Sequence, residues 1–305
     1  KPIRLFKDNK IQGRDIFAKE LAELILKYNE NDSLVIGLMG SWGSGKTSLI
    51  NLALEYIQRN SDLRKTILIE FNPWNFSDQN QLVFQFFEHI NDALGTKDTS
   101  EDIKELKKVL KKYSKILEPS RFVPLFSRPF VVVSYIFKTL IDSFKDREIN
   151  LKKTKDELNR LIEKLEIRLL ITIDDIDRLS SNEIKQIFQL VKTLGDFRNS
   201  IYLVSFDKNV VSESLKEIQK GDSFEYLEKI IQITFDIPNI SKNDLKKILF
   251  DELTELFKKH QFTKWNDFYW SKVTNAGFLS FFKSIRDVNR FINSLKFTIG
   301  IIGKE

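Results

Sequence analysis

The sequence predicts an α/β protein in which helices cover a parallel sheet, with a helical insert in the core and a helical C-terminal part. Three observations carry this. Short apolar runs alternate with stretches of helical periodicity between residues 13 and 240. A charged block of helical period interrupts the alternation at residues 95–168. From Ser241 onward the pattern is helical alone. Strands joined through helices make right-handed crossovers and so a parallel sheet.

The first element is GRDIFAKELAELILKYN (13–29), apolar at helical spacing with Asp15 placed to cap it. SLVIGLMG (33–40) is a buried-strand run, and KTSLINLALEYIQRN (46–60) is a helix. KTILIEFN (65–72) is the second strand, broken by Pro73 before a helix at 77–94. In the insert, SEDIKELKKVLKKYSKIL and DREINLKKTKDELNRLIEKLEIR are charged helices. Leu151, Leu158 and Leu165 recur every seven residues there, with Leu161 between, which suggests a short coiled-coil-like hairpin. PFVVVSYIFKTLI (129–141) is apolar but shorter than the roughly 20 residues a bilayer span needs, and Lys138 interrupts it. It reads as a packed segment of a soluble protein rather than a transmembrane helix, with association to a membrane surface as the alternative.

LLITIDDIDRLS (169–180) is a strand ending in acids, followed by a helix at 182–197 and a strand at 200–207. Two helical stretches, NVVSESLKEIQ and SFEYLEKII, lead to a fifth strand, QITFDIP (232–238). The domain reading is a core of residues 1–240 carrying the insert at 95–168, then a small helical domain at 241–305.

Composition bounds the function. The chain has 305 residues, enough for one large domain or two ordinary ones, and 42% hydrophobic residues, enough for a core. A net charge of +6 permits contact with nucleic acid or anionic membrane without implying it. The heavy use of Phe, Lys, Ile and Asn follows AT-rich codons and accounts for much of that charge. With no Cys, disulfides and thiolate metal sites are excluded, and a reducing, cytoplasmic setting fits. Two distant histidines, His89 and His260, argue against a His-based metal site or triad. KPIRLFKDNK lacks the apolar stretch of a signal peptide. The chain opens without Met and stops at IIGKE, as a piece of a longer protein does.

The chemistry is concentrated in GLMGSWGSGKTSLI (37–50), which holds G-x-x-x-x-G-K-T as Gly40, Gly45, Lys46 and Thr47. Gly40 turns the chain after the strand. Gly43 and Gly45 let backbone N–H groups reach an anion with no Cβ in the way. The helix that follows aims its N-terminus at the same place. Lys46 reaches the outer phosphates, and the Thr47 hydroxyl is a ligand for Mg²⁺. Ser41, Trp42, Ser44 and Ser48 complete the loop. The pattern resembles that of P-loop NTPases, and the resemblance implies a three-layer sandwich that binds ATP with Mg²⁺. In ITIDDIDRL, Asp174 arrives at a strand end as the second Mg²⁺ holder, and Asp175 is placed to orient and deprotonate water. A strand-end cap on the next helix is the plainer reading of Asp175. Asp177 and Arg178 read as local ion pairs.

In this order GSWGSGKTS, FNPWNF, IDDIDR, YLEKIIQITFDIP and SIRDVNRFINSL resemble the KAP family of P-loop NTPases, over nearly the whole chain. The resemblance implies a signalling or AAA-like ATPase with a long insert at residues 95–168. Many members carry a pair of transmembrane helices there, which this sequence lacks. It implies further site residues. Gly13 and Arg14, in IQGR, would lie by adenine; a turn plus a surface arginine is the alternative. Asp207, ending the fourth strand, would sense the γ-phosphate, although a helix N-cap explains it equally well. Lys229 would reach a neighbour's nucleotide, or is a solvated lysine. Arg286 would sense phosphate from the lid, with Arg290 one turn on as its substitute and a salt bridge as its alternative. In FNPW, Phe71 and Trp74 read more simply as core.

The resulting expectation is an ATP-hydrolysing switch, with Lys46, Asp175, Arg286 and Lys229 as the catalytic set, that assembles with itself and passes its state to a protein effector. Because the family includes a phage-exclusion protein, the resemblance implies bacterial antiviral defence as a role. A small-molecule kinase and a non-hydrolysing nucleotide-binding module are the rivals. Clusters at Lys104–Lys115 and Lys152–Lys155 leave nucleic-acid stimulation open.

Overall fold

The computed structural model describes residues 13–60, 66–76, 82–95, 100–117, 136–216, 223–260 and 266–302. They form two compact units. One takes in Leu24–Met39 and Ile57–Phe235; the other takes in the chain up to Glu23, Gly40–Tyr56 and the chain from Asp236 on.

The first unit holds the sheet. Its strands are β1 (Leu34–Met39), β2 (Thr66–Phe71), β3 (Arg168–Ile173), β4 (Ser200–Phe206) and β5 (Ile233–Asp236), in the order β2-β3-β4-β1-β5. The pairs β1–β4, β3–β4 and β2–β3 are parallel. Every residue of β1 and β4 is buried. That is the pattern of strands covered on both faces, and it explains why they read as unbroken apolar runs. Register matters most at the C-terminal ends. Phe71 pairs with Ile173, and Ile173 with Val204, so Asn72, Asp174 and Ser205 emerge side by side.

The core around this sheet is rich in aromatics. Phe86 and Phe87 of α3 (Leu82–Gly95) meet edge to face, and Phe87, Tyr113 and Phe197 form a mutual T-shaped cluster. Leu106 and Leu110 of α4 (Glu101–Ile116) join Leu158 and Ile162 of α5 (Ile136–Lys164) in the same buried cluster. The insert helices thus pack on one another and on α3. The apolar stretch at 129–141 falls partly outside the described residues; its last part, from Ile136, begins α5. Among the described residues no helix is long and apolar enough to cross a membrane.

The helix expected at 182–197 divides. α6 (Ser181–Gln189) runs into a π-helical turn at Leu190–Leu194. The carbonyls at its end are taken by three side chains: Lys155 donates to Thr193 at 2.8 Å, Tyr113 to Leu194 at 2.9 Å, and Tyr202 to Gly195. Burial pushes both phenols well above their ordinary pKa, so they remain donors. α7 (Lys208–Lys216) and α8 (Ser223–Glu228) complete this unit.

The second unit contains the start of α1 (Arg14–Lys27), the glycine loop, the start of α2 (Lys46–Asn60), and the C-terminal helices α9 (Lys242–Lys259), α10 (Asp267–Asn275) and α11 (Ile285–Ile302). α9 and α11 share a small core of Leu245, Leu249, Leu253, Phe282, Val288 and Ile292. One cap differs from expectation. Asp15 lies inside the first turn of α1, where its charge suits the helix dipole, and Gly13 at φ +82° is the residue before the helix.

Candidate active site

The glycine loop joins β1 to α2. Gly43 and Gly45 have φ of +83° and +90°, a region that side chains disfavour. A Cβ on Gly40 would come 2.6 Å from Ser44 Oγ and would push that hydroxyl aside. The loop is closed by the Ser44 N–H donating to the Ser41 carbonyl at 3.1 Å. α2 starts at Lys46, which puts the positive end of its dipole at the loop, with Thr47 and Ser48 half-buried in the first turn. Lys46 is 7% exposed, and its ammonium donates to the Gly40 carbonyl at 2.9 Å. It spans the mouth of its own loop.

Two more basic side chains converge here, both from the same unit. Arg14 is 2% exposed and donates through Nη2 to the carbonyls of Ser44 and, at 3.2 Å, Pro238. Its Nε and Nη1 are buried without a hydrogen-bond partner, as is Ser44 Oγ. Arg286 projects from the first turn of α11, and its guanidinium lies over the Trp42 ring. Ser284 and Asp287 fix that turn reciprocally: the Asp287 N–H donates to Ser284 Oγ at 3.3 Å, and the Ser284 N–H to Asp287 Oδ2 at 2.9 Å. Partial burial opposes the Asp287 charge. Hydrogen bonds from Ser284 and the N–H groups of Lys283 and Ser284, with Arg290 nearby, hold its pKa below the ordinary value all the same. Three cations, two unpartnered buried donor nitrogens, glycine-only backbone and a helix N-terminus fit a polyphosphate anion.

The acidic cluster belongs to the sheet unit and is built by the strand register. Asp174 accepts from Ser205 Oγ, on the neighbouring strand, and from the Asp175 N–H at 2.9 Å. Its own N–H donates to the Phe71 carbonyl at 3.3 Å. Asp175 sits at φ +61°, in the left-handed region. Both of its oxygens are engaged, Oδ2 by Asn72 Nδ2 at 3.0 Å and Oδ1 by Arg178 at 2.8 Å. This left-handed, non-glycine backbone is thus held by one distant partner, Asn72, and one local one, Arg178 three residues on.

Asn72 was not visible as a site residue in the sequence. It accepts the Trp74 N–H at 3.1 Å, capping a short 3₁₀ turn, and turns its amide toward Asp175. FNPW is thus only half a core motif. Phe71 is 1% exposed, but Trp74 is 54% exposed, contrary to the packing expected of it. A proline directly after a capping Asn hints at a turn, but not at that asparagine's tertiary partner.

The remaining expected residues stand as follows. Asp207 follows β4 and accepts the Asn209 N–H at 3.0 Å, capping α7. Lys229 lies in the turn after α8, and its exposed side chain is 3.6 Å from Glu225. Arg290 is exposed. Gly13 has nothing within 4 Å of the Cβ position.

A family model described as the KAP family P-loop domain matches residues 14–301. The phage T7 exclusion protein of Escherichia coli (strain K12) is 26% identical over 250 residues, covering 75% of this chain and 33% of that protein. The chain therefore spans about a third of the length of this relative. Among solved structures, the Aeropyrum pernix ORC2 protein in its ADPNP-ADP complexes is 12% identical at a TM-score of 0.41, over 79% of this chain and 51% of that one. The ORC1 protein of the same organism, in complex with DNA, is 14% identical at a TM-score of 0.41, over 80% and 50%.

Proposed function

The chain belongs to the KAP family of P-loop NTPase domains, and from that premise we propose that it binds and hydrolyses ATP as a nucleotide-dependent switch. The observation that carries this is the glycine loop, where Lys46 is folded onto the Gly40 carbonyl beside two glycines at positive φ. In this reading Lys46 exchanges that carbonyl for phosphate oxygens, and the loop N–H groups cradle the inner phosphates. Thr47 would offer the hydroxyl and Asp174 the carboxylate for a Mg²⁺ ion. When bound, that ion would neutralise charge on the transferring phosphoryl oxygens. Asp175 holds and deprotonates water. Arg286 delivers positive charge from α11, and Lys229 and Asp207 are the remaining phosphate-directed candidates.

Residues 1–240 act as the nucleotide core and residues 241–305 as a lid that responds to the bound state, which a protein effector reads. Self-assembly and a cytoplasmic setting belong to the same reading. The likeness to a phage-exclusion protein supports bacterial antiviral defence as the setting. The test is phosphate release from ATP by the purified chain beside Lys46→Ala. The reading holds if the wild type turns over and the variant loses both affinity and turnover; normal turnover by Lys46→Ala overturns it.

One observation favours a second reading. Both oxygens of Asp175 are occupied, one by a cation. A carboxylate whose two oxygens are both engaged has neither turned toward an attacking water, as suits a module that retains nucleotide without hydrolysing it. Bound nucleotide with no phosphate release would select that reading.

A further inference from the structure

We propose that Arg14 is a positioning residue for the phosphate loop, one that acts through the Ser44–Gly45 peptide and makes no contact with the base. The inference rests on nucleotide binding at that loop. Both hydrogens of Arg14 Nη2 are committed to backbone carbonyls, of Ser44 and Pro238. A trans peptide holds its C=O and N–H on opposite sides. Because the Ser44 carbonyl is drawn to Arg14, the Gly45 N–H of that same peptide is turned away from the guanidinium. Gly45 is one of the loop's phosphate-facing residues in the G-K-T pattern. A cation on the carbonyl oxygen also polarises the amide, so the N–H becomes a stronger donor.

The rest of the geometry agrees. Gly45 has φ +90°, and a Cβ there would collide with Arg14 Nη1, so the arginine packs on the glycine itself. The side chain is 2% exposed and leaves Nε and Nη1 buried without hydrogen-bond partners. Burial pulls its pKa down, yet a guanidinium stays charged. A buried cation bonded only to carbonyls is costly by itself. An anion on the far side of the peptide compensates it through the polarised amide. This accounts for Arg14 and for Pro238 in FDIP together, with the arginine tying the start of α1 and the segment after β5 to one loop carbonyl.

The experiment measures the affinity of the full chain for Mg²⁺ complexes of ATP, GTP and inorganic tripolyphosphate. Wild type, Arg14→Met, Arg14→Lys and Lys46→Ala are compared, with thermal melts to establish folding. Arg14→Met keeps the aliphatic stem and removes the buried charge. It should weaken all three ligands by one common factor of roughly tenfold or more, the worth of a hydrogen bond to a charged group. Arg14→Lys, a point charge that cannot fork to two carbonyls, should fall between. In ¹⁵N-glycine spectra the ligand-induced shift of the Gly45 amide should shrink in both variants. If Arg14→Met does not fold, Arg14→Lys and its Gly45 shift decide the matter. Loss for ATP with tripolyphosphate unaffected would show that Arg14 reads the base and would overturn the proposal. Unchanged affinity for all three would overturn it too. If wild type binds none of the ligands, the nucleotide reading itself falls; if wild type binds and only Lys46→Ala fails, that reading stands and the Arg14 proposal alone is rejected.

Discussion

The guanidinium of Arg286 lies over the indole of Trp42, with Cζ 4.5 Å from the ring centroid. Trp42 is 63% exposed, so the ring serves the arginine more than it serves a core. An exposed cation–π contact is worth roughly 0.5–1 kcal/mol, enough to bias a side chain and too little to lock it. The salt bridge considered for Arg286 from sequence is replaced by an aromatic perch beside the phosphate loop. If the arginine leaves the ring for phosphate, Trp42 emission should change on adding Mg²⁺–ATP, and the change should vanish in Trp42→Phe.

Arg286→Ala should lower turnover by about tenfold or more while altering ATP affinity much less, because the charge is needed most as phosphoryl charge develops. Single-turnover kinetics with a separate binding titration would measure the two effects. An equal loss in affinity and turnover would instead make Arg286 an ordinary binding residue.

Asn72 and Asp175 offer the next prediction. Asp175→Asn should slow hydrolysis by roughly two orders of magnitude or more. Asn72→Ala removes the 3.0 Å contact to Asp175 and should cost about tenfold in turnover, with nucleotide affinity kept. Because both substitutions act on one carboxylate, the double variant should be little worse than Asp175→Asn alone. Additive losses in that cycle would place Asn72 in another role, such as capping its own turn.

Acid should loosen the start of α11. Asp287 has a folded pKa below the ordinary 3.8. Its stabilising contribution is therefore complete above that unfolded value and is lost as pH falls through the lower folded one. In Asp287→Asn the reciprocal cap keeps its shape but loses the charge, so melting temperature should fall at pH 7 and change less than the wild type's below about pH 4. Melts of the two chains from pH 7 downward would show converging curves; a constant difference at every pH would remove Asp287 from the acid response.

Much of this was legible in the sequence because it depends on local pattern. Fully buried strands such as β4 announce themselves as apolar runs, and a G-x-x-x-x-G-K-T segment between strand and helix leaves little freedom. What was hidden depends on partners far along the chain. Asn72 and Asp175 are 103 residues apart, and nothing local distinguishes an asparagine that only caps a turn from one that also holds a distant carboxylate. Arg14 reaches Pro238 across 224 residues, which no periodicity encodes. Trp74 was misjudged because large apolar side chains are usually buried, whereas this tryptophan sits exposed in the 3₁₀ turn that Asn72 caps. The π-helical end of α6 depends on Tyr113, Tyr202 and Lys155, three residues outside the helix itself.

The last prediction concerns Lys229. Its side chain is 71% exposed and faces Glu225 at 3.6 Å, one turn back. Exposed pairs of this spacing stabilise by only a few tenths of a kcal/mol, so the ammonium can be drawn away at almost no cost. A lysine so placed supplies a movable point charge rather than a bidentate clamp. If that charge acts on a neighbouring subunit's nucleotide, ATP hydrolysis should rise faster than linearly with protein concentration. Lys229→Ala should lower turnover with ATP affinity nearly intact. Lys229→Ala mixed with Asp175→Asn should then recover part of the activity, since some interfaces pair an intact base with an intact lysine. Sedimentation over the same concentrations supplies the control. Strictly linear activity across a monomer–oligomer transition would leave Lys229 a solvated lysine, and the positive charge would have to come from Lys46 and Arg286 of one chain.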